Sequence, residues 1–259
     1  MLSCQKKVSK LIKFLHSSGK KGIAWLIDPD KIADSKAMVD TFSWVRKSNL
    51  DLILVGGSQL ERGNFEEVVI ALKELAEDIP VVIFPGSQCQ LTHHADAILF
   101  LSLISGRNPE FLIGQQVTAA PIIQEMGLEV LPTGYLLINE HEMTSVQYIS
   151  QTTPIPNSKP KLARATALAG QLLGMKFFFL DAGSGSKVPV SSEVICEVRE
   201  CIKHPLIVGG GIDSIEKLKV AFMAGADLLV LGNSIEKDPN FLVEALEFKS
   251  EINRSLHID

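Results

Sequence analysis

The chain has 259 residues, of which 46% are hydrophobic and 21% charged, a composition expected of one globular domain spanning 1–259. Its formal net charge of -5 argues against nucleic acid as a partner, because such proteins carry a basic face that neutralises phosphates. The longest apolar stretches, such as 98–104, fall far short of the ~20 residues that cross a bilayer, so no transmembrane span is expected.

At the N-terminus Lys6, Lys7, Lys10 and Lys13 interleave with Val8, Leu11, Ile12 and Leu15 at helical spacing. This segment lacks the continuous apolar region of a signal peptide and reads as the amphipathic first helix of a cytoplasmic protein. A solvated basic face is the expectation, with weak peripheral adhesion to anionic lipid as the alternative. Further along, short apolar runs recur at 23–27, 52–55, 81–84, 97–103, 128–138, 177–180, 206–208 and 228–231. Between them, 36–47, 65–77, 109–126, 162–173, 192–203 and 214–224 carry apolar residues at three-to-four spacing and predict helices. Continuous apolar strands alternating with helices imply a parallel sheet covered on its faces, and eight such units predict a closed α/β structure, the (β/α)8 TIM barrel.

One crossover departs from the pattern. The stretch Ser87-Gln88-Cys89-Gln90-Leu91-Thr92-His93-His94 is shorter than the dozen or more residues of an ordinary parallel crossover. The third helix is therefore expected to be missing or replaced by an extended segment, leaving an apolar gap in the outer ring that could accept a long hydrocarbon chain. A short helix or a loop that fills the space is the alternative. The six histidines lack an i, i+4 metal pair with an acidic partner, so His93-His94 reads as a turn rather than a ligand cluster, and Cys4, Cys89, Cys196 and Cys201 lack the paired spacing of a zinc site or a disulfide framework.

The strand ends are rich in Gly, Asp and Ser, and in a barrel they share one rim, where active sites are built. Gly209-Gly210-Gly211-Ile212-Asp213 and Gly232-Asn233-Ser234 match the phosphate site that such barrels place after strands seven and eight. Asp181-Ala182-Gly183-Ser184-Gly185-Ser186 adds further donors, with Asp181 either a hydrogen-bond acceptor or general base, or a helix N-cap. Asp28-Pro29-Asp30-Lys31 and Gly56-Gly57-Ser58 offer a carboxylate and a hydroxyl from neighbouring strand ends, which suits Mg²⁺; simple turn chemistry is the alternative for both.

In order and spacing, Leu26-Ile27-Asp28-Pro29-Asp30-Lys31, Val55-Gly56-Gly57-Ser58, Phe84-Pro85-Gly86-Ser87, Leu131-Pro132-Thr133-Gly134-Tyr135, Phe179-Leu180-Asp181-Ala182-Gly183-Ser184-Gly185, Val208-Gly209-Gly210-Gly211-Ile212 and Leu231-Gly232-Asn233 resemble the geranylgeranylglyceryl phosphate synthase family. That family includes the bacterial heptaprenylglyceryl phosphate synthases. The resemblance implies a Mg²⁺-dependent prenyltransferase on a barrel lacking its third helix. Its substrates would be sn-glycerol 1-phosphate and geranylgeranyl diphosphate, or a similar long isoprenyl diphosphate, joined as an ether with release of diphosphate. Carried over by motif, Asp28 and Ser58 would hold Mg²⁺, and Asp181 would be catalytic. Phe179, Leu180, Asp181, Ala182, Gly183, Ser184, Gly185, Gly210, Gly211, Gly232 and Asn233 would bind sn-glycerol 1-phosphate. Leu26 stands where the heptaprenyl branch has a lysine, and Asp181 where many members have Glu; both departures resemble the family's second group and make Lys31 a candidate for the replacing cation.

Other expectations are a homo-oligomer, if a barrel helix exposes an apolar patch, and a tail pocket capped by Phe84, Phe100 or Leu101. The rival readings are an isomerase or aldolase of phosphorylated sugars, and a silent lipid- or phosphate-binding protein.

Overall fold

The structure is a computed structural model in which residues 8–31, 49–57, 65–140 and 143–256 are described. The predicted helix at 36–47, Ser58 and the side chain of Lys31 lie outside the described residues.

The predicted strands all form: β1 (Gly22–Ile27), β2 (Leu52–Val55), β3 (Val81–Ile83), β4 (Ala97–Leu103), β5 (Glu129–Leu137), β6 (Phe177–Asp181), β7 (Leu206–Gly209) and β8 (Leu228–Leu231). Each pairs in parallel with its sequence neighbours, and β8 closes on β1 through Gly22↔Leu228 and Ala24↔Val230. Alternation along the strands divides the apolar side chains into two layers. Ala24, Leu52, Leu54, Leu99, Leu131, Phe177, Phe179 and Val230 fill the barrel. Ile23, Trp25, Ile53, Val55, Ile98, Phe178 and Leu180 face outward against the helices. Strands buried on both faces explain why the sequence shows unbroken apolar runs rather than alternation.

The N-terminal helix α1 (Val8–Ser18) sends Val8, Ile12 and Leu15 into the inner layer at the end where the strands begin. Its first turn is fixed by Glu129, whose carboxylate accepts from the backbone N–H groups of Val8 (2.7 Å) and Ser9 (3.2 Å). Thus α1 plugs the barrel at the end opposite the glycine-rich rim. The covering helices are α2 (Phe65–Ala76), α3 (Gln115–Met126, entered through a π turn at Glu110–Gly114), α4 (Ser145–Ser150), α5 (Pro160–Leu172), α6 (Ser192–Cys201), α7 (Ile215–Met223), α8 (Asn233–Lys237) and α9 (Asn240–Ser255). Serines start two of them: Ser191 accepts from Val194 N–H and Ser214 from Lys217 N–H, each at 3.3 Å.

Between β3 and β4 no helix forms; the chain runs through turns from 84 to 96, as the short crossover predicts. Two side chains hold this segment in place of helical packing. Gln90, fully buried, bonds back to the β2 end, and Asp96 accepts from Val81 N–H (2.7 Å) and from Lys73 Nζ (2.7 Å). The third-helix gap is therefore real, and Ile98 and Phe100 on the outer face of β4 line it.

Candidate active site

The glycine-rich strand ends converge on one rim. Asp181 is the last residue of β6 and is 7% exposed. Its Oδ1 accepts from Gly183 N–H at 2.8 Å and its Oδ2 from the Tyr135 hydroxyl at 2.5 Å. The N-cap alternative for Asp181 fails, because the next helix, α6, starts at Ser192 and is capped by Ser191. Burial raises the Asp181 pKa, and the two donated hydrogen bonds pull it part of the way back. The same burial, with the neighbouring carboxylate, holds the Tyr135 phenol well above its ordinary value.

Around this pair the rings of Phe84 and Phe179 stack at 5.2 Å between centroids, and Tyr135 meets Phe179 edge-on at 5.5 Å. The aromatic cluster lines the cavity that Asp181 also lines.

Gly210 follows β7 with φ of +80°, where an L side chain is strained. A Cβ there would stand 2.8 Å from Asp181 Oδ1 and 2.9 Å from the backbone nitrogens of Ala182 and Gly183. Only a glycine lets the β7 and β6 ends approach so closely, and the result is a concave surface lined by Gly183, Ser184, Gly185, Gly210, Gly211, Gly232 and Asn233. Asn233 opens α8 and exchanges hydrogen bonds of 3.3–3.4 Å with the Ser184 hydroxyl, tying the β8 end to the β6 loop. Among the residues expected to bind glycerol phosphate, Leu180 and Ala182 turn their side chains away into the outer core, as strand alternation requires. Ala182 joins the rim through its backbone alone.

The opposite wall comes from β1, β2 and the segment after β3. Asp28 lines the cavity, and its Oδ1 accepts from Asp30 N–H at 3.1 Å, so it does serve the turn as well. Gly56 packs so tightly that a Cβ would lie 1.9 Å from Phe84 O. Gln90 Oε1 accepts from Gly57 N–H (3.3 Å) and Gly86 N–H (3.1 Å), while its Nε2 donates to Gly57 O (2.7 Å). This buried amide shapes the wall that bears Asp28, yet in the sequence it is one polar residue in a polar loop. Tyr135 was equally hidden, since its role depends on the β5–β6 register that pairs it with Phe179.

Both walls belong to one cavity of about 1100 Å³. Asp28, Asp30, Gly57, Asp181, Gly210 and Asn233 line its polar mouth, with Lys187 and Lys237 on the same rim. From there it continues past Phe84 and Leu91 into the third-helix gap, between Ile98 and Phe100 of β4 and Ala119 and Ile123 of α3. Leu101 lines the cavity too, but it and Phe84 pack on the inner layer of the barrel, so of the three residues expected to cap a tail only Phe100 faces the outer layer. Leu26 lines the cavity and carries no charge.

The PcrB family model matches residues 20–249, nearly the whole barrel. The chain belongs to the PcrB family. It is 45% identical to the geranylgeranylglyceryl phosphate synthase of Spirosoma linguale over 243 residues, covering 92% of this chain and 95% of the relative. Against the synthase of the same name from Thermococcus kodakarensis it is 42% identical over 253 residues, covering 96% and 98%. The solved (S)-3-O-geranylgeranylglyceryl phosphate synthase of Thermoplasma acidophilum, in complex with its substrate sn-glycerol-1-phosphate, is 32% identical and superposes with a TM-score of 0.82 over 97% of this chain and 98% of that one. Among the described residues, no helix is long and apolar enough to cross a membrane.

Proposed function

We propose that this PcrB-family chain is a prenyltransferase that joins geranylgeranyl diphosphate, or an isoprenyl diphosphate of similar length, to sn-glycerol 1-phosphate through an ether bond. One observation carries the reading: a single cavity unites a carboxylate wall, a glycine-lined anion cradle and an apolar channel in the space of the absent helix. A sugar isomerase or aldolase has no use for that channel, and a protein that only binds phosphate has no use for a buried acid beside the cradle.

In this reading, backbone N–H groups at Ser184, Gly185, Gly210 and Gly211, with the Asn233 side chain, hold the phosphate of sn-glycerol 1-phosphate, while the Gly183 N–H stays on Asp181. The Asp181 carboxylate orients the glycerol 3-hydroxyl and takes its proton as the oxygen attacks the first prenyl carbon. The carbon–oxygen bond to diphosphate breaks in the same event, and diphosphate leaves with the electron pair. Phe84, Phe179 and Tyr135 line the same cavity, and a ring beside the allylic carbon favours the positive charge that develops there.

The donor set also fits Mg²⁺. Asp28, with Asp30 beside it, supplies hard carboxylate oxygens at the cavity mouth, and Mg²⁺ is held by one or two carboxylates plus waters and ligand phosphates. Bound there, Mg²⁺ supplies charge neutralisation to the departing diphosphate. Ser58, the other proposed ligand, lies outside the described residues.

Self-association is part of the same proposal, supported by Leu162, Leu172 and Leu173 at 49%, 79% and 80% exposure on and just after α5. Light scattering at working concentration tests it, and a monomer would refute it.

The reaction is tested by incubating the protein with sn-glycerol 1-phosphate, geranylgeranyl diphosphate and Mg²⁺. The expected result is stoichiometric ether product and free diphosphate, both abolished by chelation. Binding of glycerol phosphate with no diphosphate release would overturn the reading.

A further inference from the structure

The segment that replaces the third helix carries a second cluster of ligand-type side chains, distinct from the cavity mouth. Glu66 lies in the first turn of α2, while His93 and His94 form the turn before β4. The three residues offer ligand atoms that all lie within 4.8 Å of one another. His94 Nε2 stands 3.4 Å and His93 Nδ1 3.8 Å from the same oxygen, Glu66 Oε1.

Those separations are informative. Hydrogen bonds from ring nitrogens to oxygen run about 2.7–3.2 Å, so neither imidazole is seated on the carboxylate as a donor. Ligand atoms on a tetrahedron with Zn–N and Zn–O bonds of about 2.1 Å stand roughly 3.4 Å from each other; His94 Nε2 has that spacing to Glu66 Oε1, and His93 Nδ1, at 3.8 Å, lies a little beyond it. The histidine rings lie 3.9 Å apart between centroids, His94 half-buried and His93 exposed, so the site is open to solvent on one side. Thr92 Oγ1 donates to Glu66 Oε1 at 3.1 Å and accepts from His94 N–H at 3.4 Å, so the hydroxyl fixes both the carboxylate and the turn.

We propose that Glu66, His93 and His94 form a site for a divalent transition metal of the Zn²⁺ class. Imidazole nitrogen favours Zn²⁺, Ni²⁺ or Cu²⁺ over Mg²⁺, which separates this site chemically from the oxygen ligands at Asp28. Three protein ligands leave a fourth position for water. The metal would join the first turn of α2 to the segment bearing Gln90, which shapes the Gly57 wall, and Leu91, which lines the apolar channel. It would act as a clasp doing the work that packing of the absent helix does in an ordinary barrel. The inference does not depend on the proposed reaction.

The test uses untagged full-length protein stripped with chelator and dialysed, titrated with Zn²⁺ by calorimetry and with Co²⁺ by visible absorption. The expected outcome is one Zn²⁺ per chain, with affinity at least ~10-fold weaker in E66Q and in the double variant H93A/H94A. Zn²⁺ should also raise the melting temperature of the wild type but not of H93A/H94A, since a ligand stabilises only the fold that binds it. The C89S variant should bind as the wild type does, which separates imidazole ligation from capture by the exposed thiol nearby. Equal Zn²⁺ binding by wild type and H93A/H94A, or no uptake by the wild type in large excess of Zn²⁺, would overturn the proposal.

Discussion

Tyr135 donates to Asp181 Oδ2 across adjacent strands at 2.5 Å, in a site where both side chains are buried. The bond gives the carboxylate an orientation and also sets its basicity. Burial raises the Asp181 pKa, and donation from Tyr135 and from Gly183 N–H lowers it. Removing the phenol therefore lets that pKa climb further. Tyr135→Phe should move the acid limb of the kcat/KM profile to higher pH and cut the plateau about 10- to 100-fold, the worth of a hydrogen bond to a charged group. A profile that falls in height with no displacement would show that Tyr135 only packs.

The same burial predicts a conflict between stability and activity. A carboxyl whose folded pKa is raised contributes stability that is fully present below its unfolded pKa and is lost as pH rises through the folded value. At neutral pH Asp181 therefore weakens the fold. Asp181→Asn should melt at a higher temperature than the wild type at pH 7, with the gap narrowing in acid, while prenyl transfer drops about 10²- to 10⁴-fold. Lower stability of the variant at pH 7 would show that the ionised side chain is held for structural reasons.

At the opposite wall, Asp28→Asn keeps an oxygen to accept from Asp30 N–H, so the turn should survive. The expectation is a fall in kcat of about 10²- to 10³-fold, comparable to losing one electrostatic stabiliser, and a Mg²⁺ titration shifted to higher concentration. An unchanged metal titration would remove Asp28 from the metal site.

The fold was readable because most strands are apolar runs and most rim turns carry glycine, aspartate or serine; β5 is the exception, since Pro132-Thr133-Gly134, which looks like a strand-end motif, lies inside the strand and Asn139 follows it. Even the absent helix could be read, since the stretch from Ser87 to His94 is too short for an ordinary crossover. Tyr135 and Gln90 could not be. Tyr135 becomes a partner of Asp181 only once β5 and β6 pair in register, and Gln90 acquires its role by folding back onto the β2 end. His93-His94 lies in a turn as expected, but its acidic neighbour Glu66 comes from a different element, so no local spacing could announce it. Leu180 errs in the other direction: a motif groups adjacent residues, whereas a strand sends alternate ones to opposite faces.

The channel in the third-helix gap makes a prediction about length. Ala119 of α3 is buried and lines the channel together with Ile98 of β4. Ala119→Phe places a ring in the path of the tail while leaving the mouth untouched. Turnover of geranylgeranyl diphosphate should fall at least ~10-fold while a shorter farnesyl donor is retained, because adding bulk to a close-packed apolar site costs about 1–3 kcal/mol or excludes the ligand. An unchanged ratio of the two donors would mean that the tail runs elsewhere.

The far end of the barrel should behave in the contrary way. Asp227, 5% exposed just before β8, accepts from Arg199 Nη1 (2.9 Å) and from Leu206 N–H (2.8 Å), and its Oδ2 lies 3.0 Å from His16 Nδ1. Through these contacts it joins α1, α6 and the start of β7 on the face away from the cavity. Deleting Asp227 leaves the buried Leu206 N–H without its acceptor and the part-buried Arg199 guanidinium to the carbonyls of Ile202 and His204, at a cost of about 1–3 kcal/mol. Asp227→Ala should therefore lower the denaturation midpoint by that amount and leave kcat/KM of the surviving folded fraction within about twofold, as expected for the stability face of a barrel. A variant of unchanged stability but impaired transfer would mean that the plugged end communicates with the rim, and the division of labour between the two ends of the cylinder would have to be abandoned.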